Sequence, residues 1–384
     1  MKSSTWRSSA VLVTAGFALS GMLTGGLMQA DVVSYERAFE LNHEQVSIWL
    51  SLFSVLTAVG GAVAGVLADR VGAGKVYLGC LALSGAGLSV FAASHPFATL
   101  SGFILSSLGI GALIIGNILV TQDGSGSPNR SLNRLHANHS LARLIGVFIS
   151  MYALTAFWKL SYVALGIAFF ALAAIYRPPE RIAPASKSAG SAPQNRFIFA
   201  RPFPTVYFGF LSYMMAEMVL ITWLPAYFEQ DRQWTPAASK LVYAVFLAGL
   251  IVGRVYCSIR WPAEISPRAC RILAIIHVCS MGMFIASSRE WILCVSLFAA
   301  GFCEGPGWPS LFAFAARRAV GFEGKLTAVI YLVCCTSIVL ATAGSGILAQ
   351  RMGLASIFYV AAGAHLVFSG LFHHLLRRNP FSAV

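Results

Sequence analysis

Long apolar stretches separated by short polar segments run along the whole chain. A helix that crosses the hydrocarbon core of a bilayer needs about 20 predominantly apolar residues, and twelve stretches approach or reach that length. They cover approximately residues 9–30, 45–67, 76–94, 97–121, 134–156, 160–176, 203–228, 239–258, 270–287, 291–316, 326–349 and 355–375. The pattern predicts an all-α membrane protein with twelve transmembrane helices.

A polar segment divides these stretches into two sets of six. From Arg177 to Arg196 the chain is rich in Pro, Ser and basic residues, a composition typical of a flexible linker. We therefore expect an N-terminal six-helix half (1–176), a cytoplasmic linker (177–201) and a C-terminal six-helix half (202–384). Two similar halves with a substrate site between them near the bilayer midplane are a known transporter architecture.

The composition supports a membrane protein. The chain of 384 residues is 57% hydrophobic and 11% charged, with a mean hydropathy of +0.73, whereas soluble domains carry about 25% charged residues. The segment Met1–Ala30 has a short basic region before an apolar run, as signal peptides do. Because its loss would leave eleven spans, we interpret it as an uncleaved first helix.

The formal net charge of +13 is distributed over alternate loops rather than concentrated in one patch. With a cytoplasmic N-terminus, most Lys and Arg residues, Arg254 among them, fall on the cytoplasmic side. The external ones are Arg37, Lys159, Arg232, Lys240, Arg289 and Arg351. This is the positive-inside distribution. The charge therefore indicates topology rather than nucleic-acid binding, and we expect an integral protein of the bacterial inner (plasma) membrane with both termini cytoplasmic.

A glycine-rich apolar helix runs into a charged turn, and the next apolar stretch follows at once. Gly61 and Gly65 lie four residues apart, so a neighbouring backbone can approach this face closely. Asp69, Arg70 and Lys75 must lie where the chain leaves the bilayer. The segment predicts two spans joined by a tight hinge.

The order of residues in this hinge closely resembles the loop after the second helix of the major facilitator superfamily, Gly-x-Leu-Ala-Asp-Arg-x-Gly-Arg-Lys. The matching residues are Gly65, Leu67, Ala68, Asp69, Arg70 and Gly72. The resemblance implies a major facilitator fold. It also implies a gating role for Gly65, Asp69, Arg70 and Gly72. This role is better supported at the acidic end of the loop, because Ala73 and Gly74 replace two basic residues of the family pattern. Arg254 ends a similar helix in the second half, and we add it to the gating set.

Scattered residues elsewhere resemble the fucose permease-like sugar:proton symporters. The stretch Tyr213–Tyr227 contains the Tyr-x-x-x-Glu and Trp-Leu-Pro-x-Tyr elements of that family's seventh helix. The stretches Leu132–Gly146 and Gly301–Pro309 resemble its fifth and tenth helices. The resemblance implies proton-coupled transport of a small polar solute.

The resemblance is incomplete at the acidic residues. Asn117 matches an asparagine of the family's fourth helix, but Leu113 stands where that helix has an acidic residue. Gln29 is nearest to the acidic position of the first helix. The pair of carboxylates that serves fucose-type import therefore does not carry over to this chain.

Three charged residues lie inside predicted spans, namely Arg143, Glu217 and Glu304. A charge at the bilayer centre costs about 2.5–3.5 kcal/mol on insertion scales, so each needs a partner or a water-filled cavity. Glu217 lies about 20 Å along its helix, at a depth where a carboxyl group is a candidate proton carrier. We predict that Glu217 and Glu304 couple transport to protons. The alternative is a structural carboxylate tied to a neighbouring helix.

One face of the fifth span is polar. Its residues are spaced by three and four, and they are Asn133, His136, His139, Ser140 and Arg143. A guanidinium presents five donors in a fork that fits a carboxylate or phosphate. Arg143 therefore has either an acidic protein partner or an anionic substrate. The acidic candidates are Glu217, Glu304 and Asp123.

We predict that six residues bind substrate, namely Arg143, His139, His136, Asn117, Tyr213 and Trp223. The aromatic residues near span ends, Trp223 included, are also candidates for interfacial anchors. His277 and His365, each alone on an apolar span, are interpreted as core histidines. The eight cysteines show no metal-ligand spacing.

The sequence has no Walker lysine motif, no metal-ligand cluster and no nucleophile-base arrangement. It therefore predicts neither an enzyme nor a metal or cofactor site. We expect a monomeric secondary transporter that moves a small polar solute, in the sharper hypothesis an anion, by proton-coupled alternating access. Its partners are the substrate, protons and the lipid bilayer. The alternatives are a proton-antiport exporter of a drug or metabolite such as a siderophore, and a non-transporting receptor or scaffold on the same fold.

Overall fold

The computed structural model describes residues 2–28, 32–93, 96–121, 127–178, 200, 202–319 and 323–378, and these contain helices and no strand. The N-terminal half comprises α1 (Lys2–Gly21) with a π-helical continuation (Met22–Met28), α2 (Val32–Phe39), α3 (His43–Val71), α4 (Ala73–Phe91), α5 (Pro96–Ala112) with a 3₁₀ turn (Leu113–Ile115), α6 (Gly116–Thr121) and α7 (Pro128–Ile175). The C-terminal half comprises α8 (Phe203–Ala226) with a π-helical turn (Tyr227–Asp231), α9 (Pro236–Arg260), α10 (Pro267–Ala286), α11 (Glu290–Glu304), α12 (Gly307–Ala316), α13 (Glu323–Met352), a 3₁₀ turn (Leu354–Ser356) and α14 (Ile357–Arg377).

A single residue, Gly72, joins α3 to α4. Its φ of +98° lies in the region that favours glycine, and its N–H donates to the Ala68 carbonyl at 3.0 Å. The predicted tight hinge between two spans is confirmed. We call the side of the molecule that contains this turn the hinge end, and the opposite side the far end. The assignment of the hinge end to the cytoplasm stays a prediction.

Ten helical segments within the described ranges are long and apolar enough to cross a membrane. The helix α7 has 48 residues, about twice the length that one crossing needs. In the second half of α7, Tyr162 packs on Phe91 at the far end of α4, with ring centroids 5.0 Å apart. Tyr176 packs on Tyr77, close to the hinge, at 5.5 Å. The last part of α7 therefore returns toward the hinge end, which supports the predicted total of twelve crossings.

The two predicted halves meet mainly along two pairs of helices, α3 with α13 and α7 with α9. On α3, a side chain at Gly65 would lie 2.7 Å from the Gly324 carbonyl oxygen, so this glycine is what allows α13 to approach. Farther along the same pair, the hydroxyls of Ser51 and Thr342 are 2.7 Å apart. These contacts fit the predicted division of the chain. Most of the predicted linker, 177–201, lies outside the described residues.

Candidate substrate and proton site

A cavity of about 140 Å³ lies between the halves at the centre of the helices. Its wall combines apolar, small polar and charged side chains. The N-terminal half contributes Phe17, Ser20, Thr24, Phe53, Ser54, Thr57, Ile110, Ile114, His136, His139 and Arg143. The C-terminal half contributes Met214, Glu217, Met218, Arg254, Trp308, Tyr331, Cys334 and Ile338. Apart from the histidines, the acidic and basic side chains of this wall are Arg143, Glu217 and Arg254. These three lie together.

Two arginines share one carboxylate in the cavity wall. Arg143 Nη1 on α7 donates to Glu217 Oε1 on α8 at 3.1 Å. Arg254 Nη2 on α9 lies 3.6 Å from the same oxygen. The exposed fractions are 9% for Arg143, 4% for Glu217 and 2% for Arg254. Of the three acidic partners considered for Arg143, Glu217 is the one in contact, whereas Asp123 lies outside the described residues.

Hydrogen bonds to the backbone and to a hydroxyl fix the position of Arg254. Its Nε donates to the Gly305 carbonyl at 2.9 Å, and its Nη1 donates to the His136 carbonyl at 3.1 Å and to Ser140 Oγ. The Gly305 carbonyl is available because the helix is interrupted between α11 and α12. The placement of Arg254 among the cytoplasmic charges is therefore wrong. Its glycine-rich helix resembles that of the hinge, but here the glycines Gly249 and Gly253 admit α11.

The polar face predicted on the fifth span points to the cavity and to α9. His136 Nε2 lies 3.0 Å from Asn117 Oδ1, and because an amide oxygen only accepts, this nitrogen carries the imidazole proton. His139 packs on Phe17, with ring centroids 4.8 Å apart. His136, His139 and Arg143 all line the cavity. The structure thus brings three of the six predicted substrate residues together.

The other three predicted substrate residues lie outside the cavity wall. Asn117 is fully buried behind His136 and donates to the Ile114 carbonyl at 3.0 Å. Trp223 is fully buried and donates from Nε1 to Ser345 Oγ at 2.7 Å. The interpretation of Trp223 as an interfacial anchor is therefore wrong. Tyr213 is also buried, and its ring packs on Phe368 at 5.2 Å. A role for these residues in binding stays a prediction.

Glu304, the second predicted proton carrier, has different neighbours from Glu217. It is fully buried at the end of α11, beside His277 of α10 and His365 of α14. The two imidazole rings stack with centroids 3.6 Å apart. Both histidines are thus buried core residues, as interpreted from the sequence, but they contact each other and Glu304. Sequence spacing gave no signal for the cluster because its members come from three different helices.

At the hinge end, Asp69 binds the start of α13. Its Oδ1 and Oδ2 accept from the N–H groups of Gly324 and Lys325, each at 3.1 Å. These are free N–H groups of a helix N-terminus, where a negative charge is stabilising. At the start of α7, the N–H of Arg130 donates to the Pro262 carbonyl at 3.1 Å. The predicted halves are thus bonded at this end, and Arg70 remains exposed beside the contact.

At the far end, charged side chains connect the halves. Arg37 Nη2 is 2.6 Å from Glu229 Oε1. Glu36 accepts from Gln230 Nε2 at 2.7 Å and lies 2.6 Å from His43 Nδ1. With contacts across the interface at both ends, the cavity lies between two closures.

Sequence reasoning missed the small polar residues of the cavity wall. Ser20 and Thr24 lie four apart on the first span, and Ser54 and Thr57 lie three apart on the next. Each pair occupies one face of an otherwise apolar helix. That spacing could have indicated a face turned toward a cavity, since hydroxyls on the lipid-facing side of a span find no hydrogen-bond partners in the lipid.

Comparison with known proteins gives a consistent result. The family model described as Major Facilitator Superfamily matches residues 9–276 and again residues 206–383, so the predicted family is confirmed. No curated protein matches the chain by sequence.

Several solved structures share the fold. The human organic anion transporter MFSD10 superposes with a TM-score of 0.75 at 14% identity, covering 95% of this chain and 99% of its own. The transporter FucP in its outward conformation gives a TM-score of 0.77 at 15% identity, covering 97% and 99%. A variant of the E. coli fucose:proton symporter gives 0.73 at 15%, covering 98% and 99%. At these identities the similarity shows the fold alone.

Proposed function

The chain belongs to the Major Facilitator Superfamily, and from this membership we propose that it is a proton-coupled symporter of a small organic anion. The superfamily consists of transporters rather than enzymes, so the protein is an integral membrane transporter with a small-molecule substrate. The identity of that substrate and the coupling to protons are our proposal. They rest on the charges in the cavity wall.

The observation that supports this proposal best is the sharing of Glu217 by two buried arginines. With the carboxylate ionised, Arg143, Arg254 and Glu217 together carry one excess positive charge at the cavity wall. Such an excess is costly in a water-poor interior unless an anion compensates it. A carboxylate or phosphate of the substrate fits the guanidinium fork. His136 and His139 provide further polar contacts on the same wall.

The shared carboxylate also suggests how a proton is coupled to the substrate. When Glu217 takes up a proton it loses its charge, and Arg143 becomes available to the anion. When Glu217 releases the proton it recovers Arg143 and displaces the anion. Proton and anion therefore favour each other's binding, and this coupling is reciprocal. In a proton-antiport exporter, the main alternative, proton binding must weaken substrate binding.

Alternating access then requires the two closures to open in turn around the occupied cavity. We assign the hinge closure to Gly65, Asp69, Arg70 and Gly72. Asp69 holds the N-terminus of α13 when this end is closed. The loop charges favour a cytoplasmic hinge end, cytoplasmic termini and a bacterial inner membrane. We propose that a monomer is the working unit, because the cavity is built by the two halves of one chain.

The proposal is tested with purified protein in liposomes, by uptake of labelled carboxylates, phosphates and neutral sugars with and without an inwardly directed proton gradient. We expect the gradient to drive accumulation of an anion. Glu217→Gln should abolish gradient-driven accumulation while exchange persists, because an amide keeps the shape but cannot titrate. Arg143→Gln should lower anion transport by about thirtyfold or more, since removing one partner of a buried charge pair in a binding site costs about 2–5 kcal/mol.

Two exposed charged residues that are adjacent to each other in sequence provide matched controls. Glu290→Gln and Arg289→Gln, at the start of α11, remove the same charges from the surface and should leave uptake unchanged. A neutral sugar carried equally well by wild type and Arg143→Gln would contradict the proposed substrate class. Anion movement against the direction of the proton gradient would favour the exporter. Absence of any flux across the panel, with the protein folded, would favour a receptor or scaffold.

A further inference from the structure

Three titratable side chains outside the substrate cavity lie together inside the C-terminal half. They are His277 of α10, Glu304 of α11 and His365 of α14, and one ligand atom from each lies within 4.8 Å of the other two. Their exposed fractions are 0%, 0% and 1%. The cluster therefore joins three helices at a point that the surrounding side chains shield from solvent and lipid.

The cluster contains an unusual number of unsatisfied polar atoms. Neither oxygen of Glu304 has a hydrogen-bond partner among the described residues, and the same holds for His277 Nε2 and His365 Nδ1. Buried polar atoms in native proteins are nearly always paired, since leaving one unpaired costs about 1–3 kcal/mol and more for a charged group. Four such atoms in one place indicate a group that binds all of them.

The orientation of His277 suggests what that group is. Its Nδ1 lies 3.3 Å from the Ala300 carbonyl oxygen, and because a carbonyl only accepts, Nδ1 carries the proton. The unpaired Nε2 therefore carries a free lone pair, and the stacked rings of His277 and His365 must turn before both can face one ion. A histidine that donates one N–H to a backbone carbonyl and leaves the other nitrogen unprotonated has the tautomer typical of a metal ligand.

We propose that His277, Glu304 and His365 bind a divalent first-row transition metal ion, with zinc as the representative. Two imidazole nitrogens and one carboxylate form a donor set that such ions use, whereas magnesium and calcium prefer oxygen donors throughout. The ion would compensate the buried charge of Glu304. Metal bonds of about 2.0–2.2 Å require the three donors to move closer together than they are here, by side-chain rotation.

The location of the site gives it a structural consequence. Glu304 directly precedes Gly305, whose carbonyl accepts from Arg254. A metal ion that fixes Glu304 to α10 and α14 therefore fixes the backbone that supports Arg254. This inference is independent of the substrate and of the proton coupling proposed for Glu217, and it gives Glu304 a role in metal binding instead of the proton coupling expected from the sequence. Its test requires no transport measurement.

The test uses protein freed of its affinity tag, whose histidines bind metals, and treated with a chelator. Titration with Co²⁺ should give the intense visible absorption of a low-coordinate cobalt site, saturating at a single ion per chain and displaced by Zn²⁺. Zn²⁺ should also raise the thermal unfolding temperature, because a ligand that binds only the folded state stabilises it, whereas Mg²⁺ should not. His277→Gln and His365→Gln should each weaken metal binding by about tenfold or more.

The control is His374→Gln, an exposed histidine on the same helix as His365, which should bind metal as the wild type does. Size-exclusion profiles and unfolding temperatures without metal identify variants that fail to fold. If both histidine variants fail to fold, X-ray absorption at the zinc edge of the wild type still tests the proposal. The proposed site requires two imidazole ligands on each bound zinc. Wild-type protein that binds no metal, or an absorption spectrum unaffected by the folded variants, would overturn the proposal.

Discussion

The two ends of the interface between the halves are closed by different kinds of contact. At the hinge end, Gly65 lies against the backbone of α13, and Asp69 accepts two backbone N–H groups of that helix. At the far end, the side chains of Arg37 and Glu36 contact those of Glu229 and Gln230. Backbone atoms have fixed positions, whereas long side chains adapt and their charges are screened by salt. The hinge end therefore depends on fit, whereas the far end combines a close approach of Gly346 on α13 to the start of α3 with ion pairs that salt can weaken.

The largest effect should follow from removing that fit with Gly65→Leu. A Cβ there lies 2.7 Å from both Ala328 Cβ and the Gly324 carbonyl. Overpacking of about 1–3 kcal/mol should reduce the population closed at the hinge end by about five- to 150-fold. The readout is the distance between spin labels at Val71→Cys and Arg260→Cys, which should increase.

Gly79→Leu is the matched control for this substitution, because a side chain at Gly79 on α4 meets no atom within 4 Å. It should leave the label distance unchanged. If Gly65→Leu also does so while the protein stays folded, closure of the hinge end does not need the close approach of α3 and α13.

An intermediate effect is expected from Asp69→Asn. The amide retains one acceptor oxygen but loses the negative charge at the N-terminus of α13, a loss of about 0.3–1 kcal/mol. Transport should slow by about two- to fivefold without loss of folded protein. Glu44→Gln, an exposed acidic residue at the other end of the same helix, serves as the comparison. Unchanged initial rates for Asp69→Asn would remove its gating role.

The smallest effect is expected from Arg37→Gln at the far end. Arg37 is 66% exposed in its side chain, and exposed ion pairs contribute at most about 1 kcal/mol. The distance distribution between labels at Phe97→Cys and Trp291→Cys, both exposed, should change little, and less at high salt than at low salt. A change as large as that of Gly65→Leu would show that the two ends do not differ in the way described.

Local signals in the sequence were sufficient for the spans and the hinge. Apolar length identifies a crossing, and Gly72 with its flanking charges identifies a turn, because both depend on neighbouring residues. The partner of Arg143 could not be chosen among three acids, since Glu217 reaches it only when the two halves assemble. Arg254 was misplaced for the same reason, because a glycine-rich helix ending in a charge suits either a surface hinge or a buried contact.

The cluster of His277, Glu304 and His365 marks the limit of reasoning from spacing. Its members lie on three helices, and nothing in the residues around each histidine distinguishes it from a core residue. What distinguishes these residues from ordinary core residues is that the tertiary structure leaves their polar atoms without hydrogen-bond partners. Only packing shows that both histidines and the carboxylate occupy one place.

The single-residue connection at Gly72 has a mechanical consequence. A turn that short leaves no slack, so a rotation of α3 is transmitted to α4. The helix α4 is packed in turn against α5 and α7, and these helices follow. We therefore expect the N-terminal half to tilt as one rigid body. Relative movement would then be confined to its contacts with the other half, and a small displacement where Asp69 meets α13 would become a larger one at the far end.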